Sequence, residues 1–264
     1  MVTHTFYKYQ GAGNDFVVID NRNALFDSGN VDLVAHLCDR RFGIGADGLM
    51  LLQEAVGYDF EMVYFNADGR QGSMCGNGGR CIVAFARDRG IIDRETDFLA
   101  VDGPHHAHVH EHADWISLQM NDVDLIERDG DAYVLNTGSP HYVKLLENNN
   151  IGHFPVVEEG RKIRYSDTYR DGGINVNFVE ADGDGYRLRT YERGVEDETL
   201  ACGTGATAVA LAMAWHGGMD GVFQTPIFVE GGNLTIRFVK ERMRFTQVFL
   251  EGPATFVFKG EIAW

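Results

Sequence analysis

The chain has 264 residues, 44% hydrophobic and 23% charged, with a formal net charge of -16. That length supports one large domain or two modest ones, and the acidity argues against a nucleic-acid surface. No apolar run approaches the roughly 20 residues that span a membrane, and residues 1–6 lack a basic or apolar leader pattern. A cytoplasmic protein with no membrane or nucleic-acid partner is expected.

Residues 6–10 and 16–20 read as strands around the turn Gly11-Ala12-Gly13-Asn14-Asp15. Asn30 is an N-cap for a helix over 31–41, with Cys38 on its apolar face and Gly43 at its close. The run Gly43-Ile44-Gly45-Ala46-Asp47-Gly48 has glycines but no GK[ST] ending and leads into a strand, so it is not a phosphate loop. Residues 60–65 alternate as a strand, and a buried helix follows Cys75 to about Arg89, carrying Cys81 inward. Strands are expected over 107–112 and 115–120. His106, His108, His110 and His112 share a face there, read as a solvated strand face rather than a metal site. Residues 121–131 are acidic and turn-rich, and a domain boundary falls near Gln119-Met120. Strands at 133–135 and 142–146 surround Thr137-Gly138-Ser139-Pro140-His141. The runs Asn148-Asn149-Asn150 and Glu158-Glu159-Gly160 read as loops. Residues 174–180 and 186–191 pair across the turn Asp182-Gly183-Asp184-Gly185. A helix apolar on all sides spans 204–216, and short strands finish the chain.

Two stretches repeat one another. Cys75-Gly76-Asn77-Gly78 and Cys202-Gly203-Thr204-Gly205 each open a buried helix, and Asn66 and Arg193 each precede the cysteine by nine positions. A single Cys-Gly-x-Gly is equally well a buried structural cysteine; two with matching upstream spacing point to a duplicated unit. The repeat is expected as an α+β unit rather than a βαβ alternation. A helix N-terminus presents unpaired N–H groups and a positive dipole end, which attracts anions and lowers a thiol pKa. Two such thiols brought to one cleft suit inversion of a stereocentre beside a carboxylate. One sulfur removes the α-proton, the other returns a proton to the opposite face, and N–H donors stabilise the carbanion. One must be thiolate and the other thiol, so their titrations are coupled. No cofactor is signalled: the five lysines (Lys8, Lys144, Lys162, Lys240, Lys259) lie in no pyridoxal-phosphate context. No cysteine pair has C-x-x-C spacing, which speaks against a redox or metal-binding protein.

At these residues the sequence resembles the diaminopimelate epimerase family of cofactor-independent, two-cysteine racemases and epimerases. The matching stretches are Gly11 to Phe16, Gly43 to Gly48, Phe65 to Gly69, Met74 to Gly78, Ser139-Pro140-His141, and Tyr191 to Gly194 with Glu198 to Gly205. The resemblance implies an α+β fold of two similar, pseudo-two-fold-related domains. Each would be a mostly antiparallel, barrel-like sheet around a central helix, with the active site in the cleft between them. Residues 1–119 would carry Cys75, with a C-terminal strand over 254–264 returning to them, and 120–253 would carry Cys202. It implies conversion of LL- to meso-diaminopimelate, toward lysine and peptidoglycan. Cys75 and Cys202 would be the acid/base pair. The backbone N–H groups of Gly76, Asn77, Gly203 and Thr204 would hold the reacting carboxylate. Asn14, Asn66, Asn175, Glu192 and Arg193 would recognise the distal amino-acid group, and His141 and Glu192 would tune the thiols. A related racemase acting on histidine or proline is the nearest alternative; Arg193, Asn66 and Asn175 favour a substrate with a second charged end. The chain departs from the family at Ser139, where Asn is frequent, and at Gly48, where some members have Gln. Many members have Tyr near a subunit contact where this chain has Phe258, so the homodimer is left open.

Overall fold

The computed structural model describes residues 3–111, 114–147 and 151–264. The chain divides into two compact units, Met1–Leu118 with Gly252–Trp264, and Gln119–Glu251. The first begins with a hairpin of β1 (Thr3–Gly11) and β2 (Asn14–Asp20). Its two-residue turn has Ala12 at φ 52° and Gly13 at φ 83°, the left-handed pair that matches strand twist. Helix α1 (Val31–Cys38) crosses to β3 (Gly48–Gln53), which lies parallel to β2. The helix is shorter than the expected 31–41. The Asp39 carboxylate accepts the N–H groups of Arg41 (2.7 Å) and Phe42 (2.8 Å) and so ends it. The chain then folds tightly back, and a Cβ on Gly43 would lie 1.9 Å from the His36 carbonyl oxygen.

Strand β4 (Glu61–Asn66) pairs antiparallel with β3. Helix α2 (Gly76–Asp88) then crosses to β5 (Glu95–Ala100), parallel to β4. Strands β6 (Gly103–Val109) and β7 (Trp115–Gln119) complete a meander. Strand β6 starts four residues earlier than expected because a two-residue turn, Val101-Asp102, sends β5 straight back. Along it His106 and His108, and just past its end His110, are half-buried and lie against Asp97, Glu95 and Ser117; His112 lies outside the described residues, as does Asn148-Asn149-Asn150.

The second unit runs in the same order. Short β8 (Glu127–Asp129) precedes a hairpin of β9 (Ala132–Asn136) and β10 (Pro140–Leu145). Helix α3 (Val156–Arg164) crosses to β11 (Asn175–Asp182), parallel to β10. Strand β12 (Gly185–Glu192) returns antiparallel, and β13 (Asp197–Thr199) folds onto its end. Helix α4 (Gly203–Gly217) crosses to β14 (Gly221–Val229), parallel to β12, and β15 (Gly232–Glu241) and β16 (Arg244–Pro253) follow. Finally β17 (Thr255–Ala263) pairs antiparallel with β1 in the first unit. The last four strands are nine or ten residues long rather than short.

Three features bear on the expectations. The α+β organisation holds, with β-helix-β crossovers to parallel strands set between antiparallel hairpins. Glu158-Glu159-Gly160 is not a loop but the middle of α3. Its first turn carries Glu158 and Glu159 and its last turn Arg161, Lys162 and Arg164, the order the helix dipole favours. Gly160 suggests a turn but serves close packing: a Cβ there would lie 2.4 Å from Cβ of the buried Tyr191. Third, strand register pairs Asn66 with Gly48, and in the second unit Val176 with Tyr191. Glu192, not Arg193, therefore stands where Asn66 stands. Counting back from the cysteine misses this because the second turn is one residue longer. The fold-back itself is matched: Gln71 bridges Phe65, and Glu198 pairs with Tyr191, each four residues before its cysteine.

Each unit wraps its strands around one buried helix. Helix α2 packs on β1, β2, β3, β4, β6 and β17, and α4 on β9, β10, β11, β12, β14 and β15. Residues Cys81 to Ala86 of α2 and Ala206 to Ala212 of α4 are fully buried. Among the described residues no helix is long and apolar enough to cross a membrane.

Gly160→Ala tests the close packing of α3. Alanine raises helix propensity by about 1 kcal/mol, but overpacking costs roughly 1–3 kcal/mol, and Tyr191 is fixed by burial and by its hydroxyl bond to Glu196. Urea unfolding should show net destabilisation. The control Gly217→Ala, where a Cβ meets nothing within 4 Å, should leave stability unchanged or raised. Equal midpoints for the two variants would refute the packing argument.

Candidate functional site: two cysteine-capped helices

The N-cap of α2 is Cys75 and that of α4 is Cys202, with nearly equal backbone angles (φ -111°, ψ 117° and φ -117°, ψ 109°). Neither sulfur caps its own helix. The two carbonyls accept from Gly79 (2.7 Å) and Ala206 (2.9 Å) respectively. The first-turn N–H groups before them, on Gly76 and Asn77 and on Gly203 and Thr204, have no partner within the helix. The glycines permit this depth of burial. A Cβ on Gly79 would lie 2.4 Å from Met74 Cε and 2.8 Å from Leu118 Cδ2. One on Gly205 would lie 2.5 Å from Asn177 Oδ1.

In the first unit Asn14, Asn77 and Cys75 come together. Asn14 Nδ2 donates to Asp47 (2.7 Å), and Asn14 Oδ1 accepts from Asn77 Nδ2 (3.3 Å) and faces Cys75 Sγ at 3.7 Å. Asn77 Oδ1 accepts from Arg80 Nη2 (2.9 Å). The chain runs from a donor-only guanidinium to an acceptor-only carboxylate, which sets both amide orientations. Asp47 is held by Arg40 (2.7 Å), which also pairs with Asp15 (2.6 Å). Burial pushes the Asp15 carboxyl up, but Arg40 and Lys8 outweigh it and leave it at about 2. Asn66 is not gathered in. It ends β4, exposed, with its backbone in the turn to Arg70. Gly48 has no room for a longer side chain, because a Cβ would lie 2.5 Å from the Tyr64 ring.

In the second unit Cys202, Thr204 and His141 come together. Cys202 Sγ lies 3.5 Å from Thr204 Oγ1, which lies 2.9 Å from His141 Nε2. Asn177 Nδ2 donates to Tyr142 O (3.0 Å) and faces His141 Nδ1 at 3.1 Å, while Asn177 Oδ1 accepts from Thr190 (3.0 Å). The Tyr142 carbonyl fixes the Asn177 amide, so His141 Nδ1 accepts and Nε2–H donates to Thr204. The Thr204 hydroxyl proton is left to point at the sulfur. Burial, reinforced by the Arg193 charge, pushes His141 down to about 3 and keeps it neutral.

Asn175 is buried, and its amide is occupied. It donates to Ser139 Oγ (3.0 Å) and Pro140 O (3.3 Å), and accepts from the Arg193 N–H (2.8 Å). It ties the β10 start to the turn that carries Arg193. The exposed Arg193 side chain donates to Gly172 O (3.0 Å), and Glu192 accepts from Thr199 (2.9 Å).

Of the other cysteines, Cys38 is buried and its thiol is pushed up by burial to about 12. Cys81 is fully buried and likewise pushed up. Sequence reasoning missed Asn177 and Arg80. The only signal for Asn177 was a polar residue inside an apolar strand; for Arg80 it was a charge inside an apolar helix.

A family profile described as Diaminopimelate epimerase matches residues 6–126 and 133–257. A diaminopimelate epimerase of Flavobacterium psychrophilum is 53% identical over 97% of this chain and 99% of that protein. One from Chlorobaculum tepidum is 42% identical, covering 96% of this chain and 98% of its own. Among solved structures, a phenazine biosynthesis protein of the PhzF family from Bacillus anthracis superposes with a TM-score of 0.77 at 14% identity, over 100% of both chains. A hydroxyproline epimerase from Agrobacterium vitis, with bound trans-4-hydroxy-L-proline, gives 0.69 at 14% identity over 98% and 91%. The structural likenesses identify a shared two-domain α+β fold, and the profile and sequence matches settle the closer relationship: the chain belongs to the diaminopimelate epimerase family.

Proposed function

We propose that Cys75 and Cys202 are the acid/base pair through which this isomerase interconverts LL- and meso-diaminopimelate, a reaction on the way to lysine. The observation that carries the reading is the repeated N-cap: two cysteines with matching backbone angles, each at the buried, glycine-lined start of a helix. Inversion needs one group on each face of the α-carbon, a task for which each unit offers one thiol. In one direction a thiolate takes the α-proton: the C–H bond breaks, an S–H bond forms, and the electron pair stays on carbon beside the carboxylate. The other thiol then gives its proton to the opposite face and becomes the thiolate. Both sulfurs have exchanged states, and the return direction uses them in reverse.

The first-turn N–H groups of Gly76, Asn77, Gly203 and Thr204 suit a carboxylate that gains charge as the proton leaves. Asn14, Asn66, Asn175, Glu192 and Arg193 are assigned to the distal end of the substrate. Arg193 would contribute its charge there, and Asn175 would act by fixing the Arg193 turn. His141 tunes Cys202 indirectly: as a neutral donor it turns the Thr204 hydroxyl toward the sulfur. Glu192 remains a candidate to tune a thiol. A second copy of the chain is a partner worth testing, and residues 1–119 and 120–253, with 254–264 returning, remain the proposed catalytic domains.

Incubation with LL-diaminopimelate in D₂O, followed by proton NMR, should show loss of the α-proton signal as the meso isomer appears. Cys75→Ala and Cys202→Ala should each abolish epimerisation. Full activity in either variant would exclude the two-base mechanism.

Thr204→Val should raise the pH midpoint for alkylation of Cys202. It should also lower kcat about tenfold or more, since hydrogen bonds to charged groups contribute roughly 1.5–3 kcal/mol. An unshifted midpoint in the folded variant would remove the hydroxyl from the mechanism.

His141 also makes stability acid-sensitive. Unfolded, it takes a proton as pH falls below 6.5; folded, it resists until about 3. The unfolded state therefore holds the extra proton across that window, and stability declines as pH drops through it. Urea unfolding of His141→Gln at pH 7 and pH 5 should show a smaller acid loss than the parent; an identical loss would mean that His141 is not buried neutral.

A further inference from the structure

Arg80 lies one turn inside α2, fully buried, between the apolar stretch Cys81 to Ala86 and the helix start. Its guanidinium donates to Asn77 Oδ1 (2.9 Å), Gly76 O (3.3 Å) and Pro253 O (3.5 Å). All three acceptors are neutral, and among the described residues no carboxylate forms an ion pair with it. Burial lowers its pKa to about 10, so it stays charged at neutral pH, and the sulfurs of Cys81 and Cys75 act on it electrostatically. A buried charge with no counter-charge is costly. A fold that retains one near a helix N-terminus adds a full positive charge to the partial charge of the helix end.

The other half of the chain supplies the comparison. Five residues after Cys202 stands Thr207, also fully buried. Its hydroxyl donates to Gly203 O (3.0 Å), the carbonyl equivalent to Gly76 O, which Arg80 reaches. The two positions do the same local job. Only the first adds a full positive charge, so that charge is not needed to hold such a helix start.

We propose that Arg80 is a positioning residue for Cys75: its buried, unmatched charge stabilises the thiolate and makes Cys75 the more acidic of the two proposed catalytic thiols. This deepens the acid/base reading and rests on it for its purpose. Within the first unit the other groups near the sulfur do not supply this field. Cys81 is a neutral thiol by burial. Asp47 reaches Cys75 only through Asn14 and is paired with Arg40, which Asp15 and Lys8 share in one ion-pair cluster. The ring of Tyr64, on β4, packs on Phe16 and beside Gly48 and Gly72. Asn14 Oδ1 faces the sulfur at 3.7 Å and accepts the proton when Cys75 is a thiol. A reversible base needs both states, and a full charge outweighs so long an S–H···O contact. Arg80 serves the thiolate and, through Asn77, orients the amide that serves the thiol.

The test reads thiol acidity without turnover. Iodoacetamide alkylation is followed against pH in Cys202→Ser, which reports Cys75, and in Cys75→Ser, which reports Cys202; buried Cys38 and Cys81 stay silent. The Cys75 midpoint is expected below that of Cys202. Adding Arg80→Met should raise the Cys75 midpoint by about one pH unit or more and leave that of Cys202 in place, while Arg80→Lys should restore most of the shift. Near-ultraviolet circular dichroism checks the fold of each variant. A Cys75 midpoint at or above that of Cys202 overturns the proposal even if no Arg80 variant folds. So does an unmoved Cys75 midpoint in folded Arg80→Met. A failure to epimerise diaminopimelate would sink the assigned reaction and leave these midpoints, and the role of Arg80, to be judged on their own.

Discussion

Burying a helix from its first residue is the constraint on which the rest of this structure depends. A helix start leaves N–H groups without internal partners, and a sheet wrapped around it removes most of the water that would satisfy them. Such burial is geometrically allowed here only because glycine occupies the positions that touch the sheet. Gly79 meets Met74 and Leu118, and Gly205 meets Asn177. The residue at each N-cap is cysteine, whose sulfur spares the N–H groups by making no cap bond. What remains is a thiol beside a set of donors in a positive field, and the proposed chemistry rests on that combination.

Duplication supplies two such starts, and their surroundings have diverged. Register makes Phe16 of the first unit the counterpart of His141 in the second, since they face Gly48 and Asn175, the first residues of β3 and β11. Two residues on, Met50 corresponds to Asn177, and each lies against the second glycine of its Cys-Gly-x-Gly. The first unit is therefore apolar, with Phe16 and Met50, where the second carries His141 and Asn177 of its relay to Thr204. The second unit has Thr207 where the first has Arg80. One sulfur sits in the field of a buried cation and the other at the end of a neutral hydrogen-bond chain. A reaction that needs one thiolate and one thiol benefits from two half-sites that are alike in geometry and unlike in electrostatics.

Much of this was legible in the chain. The repeated Cys-Gly-x-Gly, each followed by a run apolar on all sides, determined two buried helices with cysteines at their starts, because local composition alone decides whether a helix can be buried and whether its first turn can approach a sheet. The resemblance carried by Asn14, Asn66, His141 and Arg193 named the reaction class. Local reading failed where a residue's reason lay across the fold. Gly160 looked like a turn because its cause, the Tyr191 ring, is thirty-one positions away. Glu192 and Arg193 were exchanged as the counterpart of Asn66 because spacing counts turn residues, whereas register does not. Asn177 and Arg80 were passed over because a polar residue in an apolar run shows its purpose only once its partners are known. The sequence by itself determined where the thiols stand and which donors start each helix. Only tertiary structure decided which side chains set the state of each sulfur, since hydrogen-bond direction and uncompensated charge depend on neighbours brought from distant strands.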